Sequence, residues 1–158
     1  MHNKACLNKG LFCISRDLAC LAIAGIKIMY LWDSSGGKDL DTKTECMGES
    51  VGFGRGGGIT KKTYLRIDRD DTSSNGRETI TIFARKIRKL KPQDSTVSVS
   101  LNATWYGEPT GGGFRIKIVW GQMEKEREFS TMLRYNKDEA YLNCGTVAFD
   151  LKNKEISW

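Results

Sequence analysis

The sequence predicts an all-β fold, an antiparallel β-sandwich of about nine strands preceded by a short N-terminal helical segment. Three observations predict it. From Ile26 onward apolar and polar residues alternate with period two in one run after another, as in strands with one buried and one solvated face. Glycine-marked breaks separate the runs, with 17 glycines but only 2 prolines in 158 residues, so the chain turns often and seldom loses a backbone N–H. The first 25 residues lack that alternation. The expected organisation is therefore an apolar, helical segment over 1–25 and a β-sandwich domain over 26–158. At 39% hydrophobic content, a chain of this length supplies the core of one domain and not plainly of two.

In the first segment Cys6, Cys13 and Cys20 recur every seven residues, with Leu7, Leu11, Ile14, Leu18 and Leu21 nearby. A helix there places all three thiols on one face. Helix packing of small apolar side chains explains them, because three thiolates would still lack a fourth zinc ligand. Five cysteines, an odd number in no metal-ligand spacing, give no disulfide framework and suit a reducing, cytoplasmic compartment. A secretory signal is the alternative: Lys4 and Lys9 precede an apolar run, and Ala22-Ile23-Ala24 resembles a small-x-small cleavage site. Arg16 and Asp17 interrupt that run. The remainder, Leu18 to Ile26, is too short for the roughly 20 residues that cross a membrane, so no transmembrane segment is expected.

The strands follow in order. Ile26, Ile28, Tyr30 and Trp32 share one face, with Lys27, Met29, Leu31 and Asp33 on the other, and Thr42, Thr44 and Cys46 continue in extended form after an acidic loop. The stretch from Gly48 to Gly58 is the densest in glycine and reads as a hairpin or bulge connection. Thr63 to Ile67 forms a strand leading to a second acidic loop. Ile80, Ile82 and Ala84 alternate with Thr79, Thr81 and Phe83. Val97, Val99, Leu101, Ala103 and Trp105 then alternate with Ser98, Ser100, Asn102, Thr104 and Tyr106. After the turn at 107–113 come Phe114, Ile116, Ile118 and Trp120. A turn from Gly121 to Lys125 leads to Phe129, Thr131, Leu133 and Tyr135, and the chain ends in strands over Cys144–Leu151 and Glu155–Trp158. Ile80, Ile82, Val97, Val99, Leu101, Ile116 and Ile118 are the expected core. Trp105, Phe114 and Trp120 fall on inward faces, so core filling explains them better than a sugar-stacking platform.

Two catalytic patterns match in spacing and fail in context. Gly48-Glu49-Ser50-Val51-Gly52 has the spacing of a nucleophile elbow, which requires a following helix and a histidine base. The only histidine is His2, upstream of the predicted domain. Gly52-x-Gly54-x-x-Gly57 has the dinucleotide spacing without the βαβ unit around it. The net charge of +6 makes anionic partners plausible. Arg85, Lys86, Arg88, Lys89 and Lys91 place five positive charges in seven residues. This run is either a solvated surface or a site for the phosphates of nucleic acid or anionic lipid.

Acidic residues cluster in two places. Asp33, Asp39 and Asp41 lie in the segment Trp32–Thr42, and Asp68, Asp70, Asp71 and Glu78 lie in Ile67–Glu78, each bounded by Gly, Ser or Asn. Such residues are good turn formers. Two loops of carboxylates brought together would equally supply the six to eight oxygen ligands that Ca²⁺ takes.

The order of these residues resembles the TerD-like calcium-binding β-sandwich proteins of tellurium resistance and bacterial stress response. In that family a DLD segment is followed by a segment of the type GDN, a glycine and DDE. Asp39 and Asp41 match the DLD carboxylates, Asp70 the Asp of GDN with Asp71 at its Asn, and Glu78 the closing Glu. Arg69 stands in place of the glycine before Asp70, and Arg77 where the family has Asp. The resemblance covers residues 26 to 85 and implies a Ca²⁺ cofactor held by Asp39, Asp41, Asp70, Asp71 and Glu78, helped by Asp33 and Asp68.

Three functions fit the sequence. One is a non-enzymatic Ca²⁺-binding β-sandwich acting in stress response or as an interaction module with a protein partner. The next is a structural or surface protein that binds nucleic acid or anionic lipid through residues 85–91, its acidic loops only structural. The third, a metal-dependent hydrolase, lacks a candidate base and a recognisable substrate pocket.

Overall fold

The computed structural model describes residues 25–36, 38–53, 58–83, 95–107, 110–130 and 142–158. These residues form ten strands: β1 (Ile26–Ser35), β2 (Asp39–Cys46), β3 (Glu49–Gly52), β4 (Leu65–Ile67), β5 (Asn75–Ile82), β6 (Thr96–Tyr106), β7 (Gly111–Trp120), β8 (Met123–Ser130), β9 (Leu142–Asp150) and β10 (Glu155–Ser157). They assemble into two five-stranded antiparallel sheets, β4-β5-β1-β7-β8 and β10-β9-β6-β2-β3. The first is called sheet A and the second sheet B. No helix occurs among the described residues, so none there is long and apolar enough to cross a membrane.

Period-two alternation decides which side chains meet between the sheets. On β1, Ile26, Ile28, Tyr30 and Trp32 are buried, and on β6 the buried set is Val97, Val99, Leu101, Ala103 and Trp105. All seven residues expected in the core are buried in a single cluster shared by both sheets. Cross-sheet contacts fix the packing. Trp105 of sheet B meets Phe114 of sheet A edge to face with ring centroids 6.1 Å apart, and Trp120 meets Phe149 in the same way at 6.2 Å, the geometry that ring quadrupoles favour. The buried Tyr30 hydroxyl bonds to the Thr44 hydroxyl at 2.9 Å, satisfying both groups away from water.

Several expectations need correction. The first cluster is not a long loop, because Asp33 lies in β1, Asp39 and Asp41 lie in β2, and the connection is only residues 36–38. Glu78 likewise lies within β5, so the loop of the second cluster is residues 68–74. The glycine-rich stretch is not all connection: Glu49–Gly52 pairs with Lys43–Cys46 as β3. The turn between them places Met47 at φ 51° and Gly48 at φ 79°, as a tight hairpin requires. The turn expected through Lys125 is only Gly121 and Gln122, and β8 begins at Met123. The expected N-terminal helix, the basic run 85–91 and the strand continuation over 131–135 lie outside the described residues.

Candidate functional site

β2 and the β4–β5 connection build the site. β3 pairs only with Lys43–Cys46, and Phe53 N–H adds one bond to the Thr42 carbonyl at 3.1 Å. The start of β2, from Asp39 to Asp41, is thus joined to β6 on one side and beyond β3 on the other. Leu40 and Thr42 point into the core opposite Trp105 and Ala103, so Asp39 and Asp41 point to the other face. Both are nonetheless buried, at 9% and 7% exposure, and Glu78 on the inward face of β5 is 0% exposed. Carboxylates this buried need compensating partners.

Their electrostatics show which groups come together. Burial is the largest influence on Asp41, followed by the like charges of Asp39 and Asp70, and together they push its pKa up to about 7. Burial also raises Asp39, with Asp70 and Asp71 adding to the shift and Lys38 opposing it. Burial dominates at Glu78 as well. That burial pushes its pKa up to about 8 although the Thr42 hydroxyl and the Asp71 N–H both donate to it, and Asp70 adds to the rise as a like charge and a hydrogen-bond partner. Two carboxyl groups can share a hydrogen bond only if one holds a proton. Asp70 is the common neighbour of Asp39, Asp41 and Glu78.

The other sequence candidates have different roles. Asp71 is the internal anchor of its loop: Oδ1 accepts from the Ser73 N–H and hydroxyl at 3.1 and 2.7 Å, and Oδ2 from the Arg77 N–H and the Arg69 guanidinium at 3.1 and 3.0 Å. Burial alone would raise its pKa, but these bonds and the Arg69 charge hold it below the usual carboxylate range. Asp68 accepts from the N–H groups of Arg69 and Thr79 at 2.8 and 2.9 Å and shapes the exit from β4. Asp33 is exposed on the outer face of β1, opposite Asn75 and Gly113, and does not join the group.

Sequence reasoning missed Thr42, whose buried hydroxyl donates to Glu78 Oε2. It also missed Ser34, Trp32 and Ser73, which brace the loop. A polar Thr at an inward position between Leu40 and Cys46 was the available signal, since a buried hydroxyl implies a partner. Chemically, Asp39, Asp41, Asp70 and Glu78 are an all-oxygen donor set suited to a hard cation. As they stand, no three His, Cys, Asp or Glu side chains among the described residues are gathered closely enough to hold an ion. No family model matches the chain, and no curated protein or solved structure matches it either.

Proposed function

We propose that this chain is a non-enzymatic β-sandwich module that binds Ca²⁺ through Asp39, Asp41, Asp70 and Glu78. The observation that carries the reading is the set of raised carboxyl groups around Asp70. Asp41 and Glu78 are raised to about 7 and 8, and the influences on Asp41 are burial and other carboxylates, with no basic side chain among them. Near neutral pH such a group needs protons or a cation. Arg69, one candidate to stand in for the ion, is engaged with Asp71 on the exposed side of the loop.

Oxygen donors favour a hard ion, and the flexible six-to-eight coordination of Ca²⁺ suits ligands spread over a strand, a loop and a facing strand better than the strict octahedron of Mg²⁺. The cation would neutralise the cluster and join β2 of sheet B to the β4–β5 connection of sheet A. The resemblance to TerD-like proteins points to the same ion and to a role as an interaction or stress-response module. The buried Cys144 thiol accords with a reducing, cytoplasmic location.

The test is a thermal melt of the wild type and of Asp41→Asn, each in EDTA and in millimolar Ca²⁺. A cation that binds only the folded state adds about 2.7 kcal/mol at a hundredfold excess over Kd. The wild type should gain that increment and Asp41→Asn should lose most of it. In EDTA the substitution should be neutral or mildly stabilising, because it relieves repulsion. No calcium-dependent shift in the wild type overturns the reading.

A further inference from the structure

We propose that the open edge of β3 is a docking site for an extended peptide segment of a partner protein, apolar at alternate positions and flanked by acidic residues, which adds antiparallel to sheet B. The inference stands apart from the cation-binding reading. β3 is the outermost strand of sheet B, and its pairing with β2 uses only half of its backbone groups. Hydrogen-bonded pairs alternate along an antiparallel ladder. The Phe53 N–H donates to the Thr42 carbonyl at 3.1 Å, so Val51 and Glu49 are the residues of β3 bonded to β2. Ser50 and Gly52 therefore turn their N–H and C=O groups to the open side, where no group among the described residues bonds to them.

A slot lies beside this edge. Ile59 bridges to Arg66 of β4, and the Thr60 N–H donates to the Leu65 carbonyl at 2.9 Å, so residues 59 and 60 run along the edge of sheet A. Between them and β3 is an open cavity of about 440 Å³, walled by Ser50 and Val51 on one side and by Ile59, Thr60 and Lys61 on the other. Glu49 ties the two walls together: its carboxylate accepts from the Lys62 and Thr63 N–H groups at 2.9 and 2.7 Å. Among the described residues four large hydrophobic side chains are exposed, and three of them surround this edge. They are Met47 in the turn before β3, Phe53 directly after it and Ile59 in the wall of the slot. Scattered singly such residues need no explanation, but gathered at one edge they mark an interaction site. A strand laid on β3 gains main-chain bonds, and its alternate side chains enter the slot against Val51 and Ile59, which gives specificity.

The remaining edges are blunted by charge, brevity or cover. β8 is charged at five of its eight positions, β10 is three residues long, and β4 is flanked by Ile59 and Thr60. Charge selects the occupant of β3. The one carboxylate of the slot, Glu49, is engaged by its own chain, which leaves Lys61 and Lys62 exposed beside the edge. A second copy would bring those lysines, and a net charge of +6, against their like. Acidic residues flanking an apolar segment complement them instead.

The test titrates the isotopically labelled full chain with the peptide acetyl-Asp-Asp-Val-Thr-Val-Thr-Val-amide, followed by NMR. The amides of Ser50 and Gly52 should shift and exchange more slowly with solvent as the peptide saturates. In an antiparallel strand whose valines enter the slot, the threonine N–H groups face β3, so N-methylation of the threonines should abolish binding and N-methylation of the valines should not. Lysines in place of the two aspartates should weaken it. Ser50→Pro removes the outward N–H while keeping the bonds to β2, and should weaken binding about tenfold, the ratio equivalent to one typical hydrogen bond. A peptide that leaves Ser50 and Gly52 unchanged at millimolar concentration, or binds equally well in both methylated forms, overturns the inference on the wild type alone, whatever Ser50→Pro does to the fold. Self-association without peptide, seen by sedimentation and lost in Ser50→Pro, overturns it as well and assigns the edge to a second copy.

Discussion

The Thr42 hydroxyl on β2 donates to Oε2 of Glu78 on β5, a hydrogen bond that crosses the interior from sheet B to sheet A between two residues each 0% exposed. It keeps the carboxyl of Glu78 turned toward β2 and lowers the cost of its burial. Thr42→Val keeps the shape and removes the donor, leaving the Glu78 oxygen short of a partner. Such a loss costs about 1–3 kcal/mol. Denaturant unfolding in EDTA should show that loss with an unchanged m-value, since the same surface is exposed on unfolding. A cost below about 0.5 kcal/mol, the lower edge for a typical hydrogen bond, would mean that the contact does not support Glu78.

The raised carboxyl groups fix the sign of the pH dependence. Asp41 and Glu78 have ordinary values of 3.8 and 4.5 and are pushed up to about 7 and 8 in the folded chain. Between these limits the folded state binds protons that the unfolded state has released. Stability of the cation-free protein is therefore greatest on the acid side of the window and falls as pH rises toward 8, by up to about 1.4 kcal/mol per pH unit for each proton. Asp39, also raised, adds to the same trend, while the lowered Asp71 acts oppositely at the acid end. Ca²⁺ competes with those protons, so its affinity should rise with pH and its binding should release protons. Urea melts in EDTA across this window check the first statement, and calorimetry in buffers of different ionisation enthalpy checks the second. Stability that rises with pH in EDTA would contradict both.

The Arg69–Asp71 pair separates a metal from an arginine as the neutralising charge. The contact is 3.0 Å, but the Arg69 side chain is 66% exposed, so the pair contributes at most about 1 kcal/mol. Arg69→Gln should lower the melting temperature slightly in EDTA and leave the calcium increment intact or a little larger, because a nearby positive charge is gone. A large loss in EDTA, with no further response to Ca²⁺, would identify Arg69 as the group that neutralises this part of the fold.

The fold was legible wherever alternation contrasted apolar with polar. β1, β6 and β7 each bury one face against the other sheet, and their inward residues could be named from spacing alone. β8 was harder to read because it is an edge strand. Its sequence, MEKEREFS, alternates acid with base, so little apolar contrast marks its start, and charged edges of this kind discourage pairing with other chains. Of the seven acidic candidates, Asp39, Asp41 and Glu78 each feel the charge of Asp70. Their neighbours Asp33, Asp68 and Asp71 do not show their roles in the sequence, since these depend on strand register and on backbone N–H groups. Gly, Ser and Asp also made strand ends look like loops. Burial of a carboxylate within a strand is set by what the rest of the chain packs over it, which no local pattern records.

A last prediction concerns the side of the sandwich away from the acidic group. β8 and β9 belong to different sheets, and Trp158 joins them: its indole N–H donates to the Cys144 carbonyl on β9 at 3.2 Å, and the Arg127 guanidinium on β8 lies 4.6 Å from its ring centroid. Phe129, stacked on Phe114 at 4.8 Å, stands 6.5 Å from the same ring. On the opposite side, the Glu49 carboxylate on β3 accepts from Lys62 and Thr63 ahead of β4, so both sides of the sandwich are tied. Trp158→Ala should cost about 1–3 kcal/mol, less than removal of a fully buried tryptophan. In a double-mutant cycle with Arg127→Ala, the coupling should be about 0.5–1 kcal/mol, as for a partly exposed cation–π pair. Because Arg127 lies on β8, separated from β5 by β1 and β7, and Trp158 follows β10 at the edge of sheet B, separated from β2 by β9 and β6, the calcium increment should be the same in both variants as in the wild type. Coupling near zero would show that Trp158 is held by its neighbours on β9 and Phe129 alone, and a diminished calcium increment would show that the two sides of the sandwich are not independent.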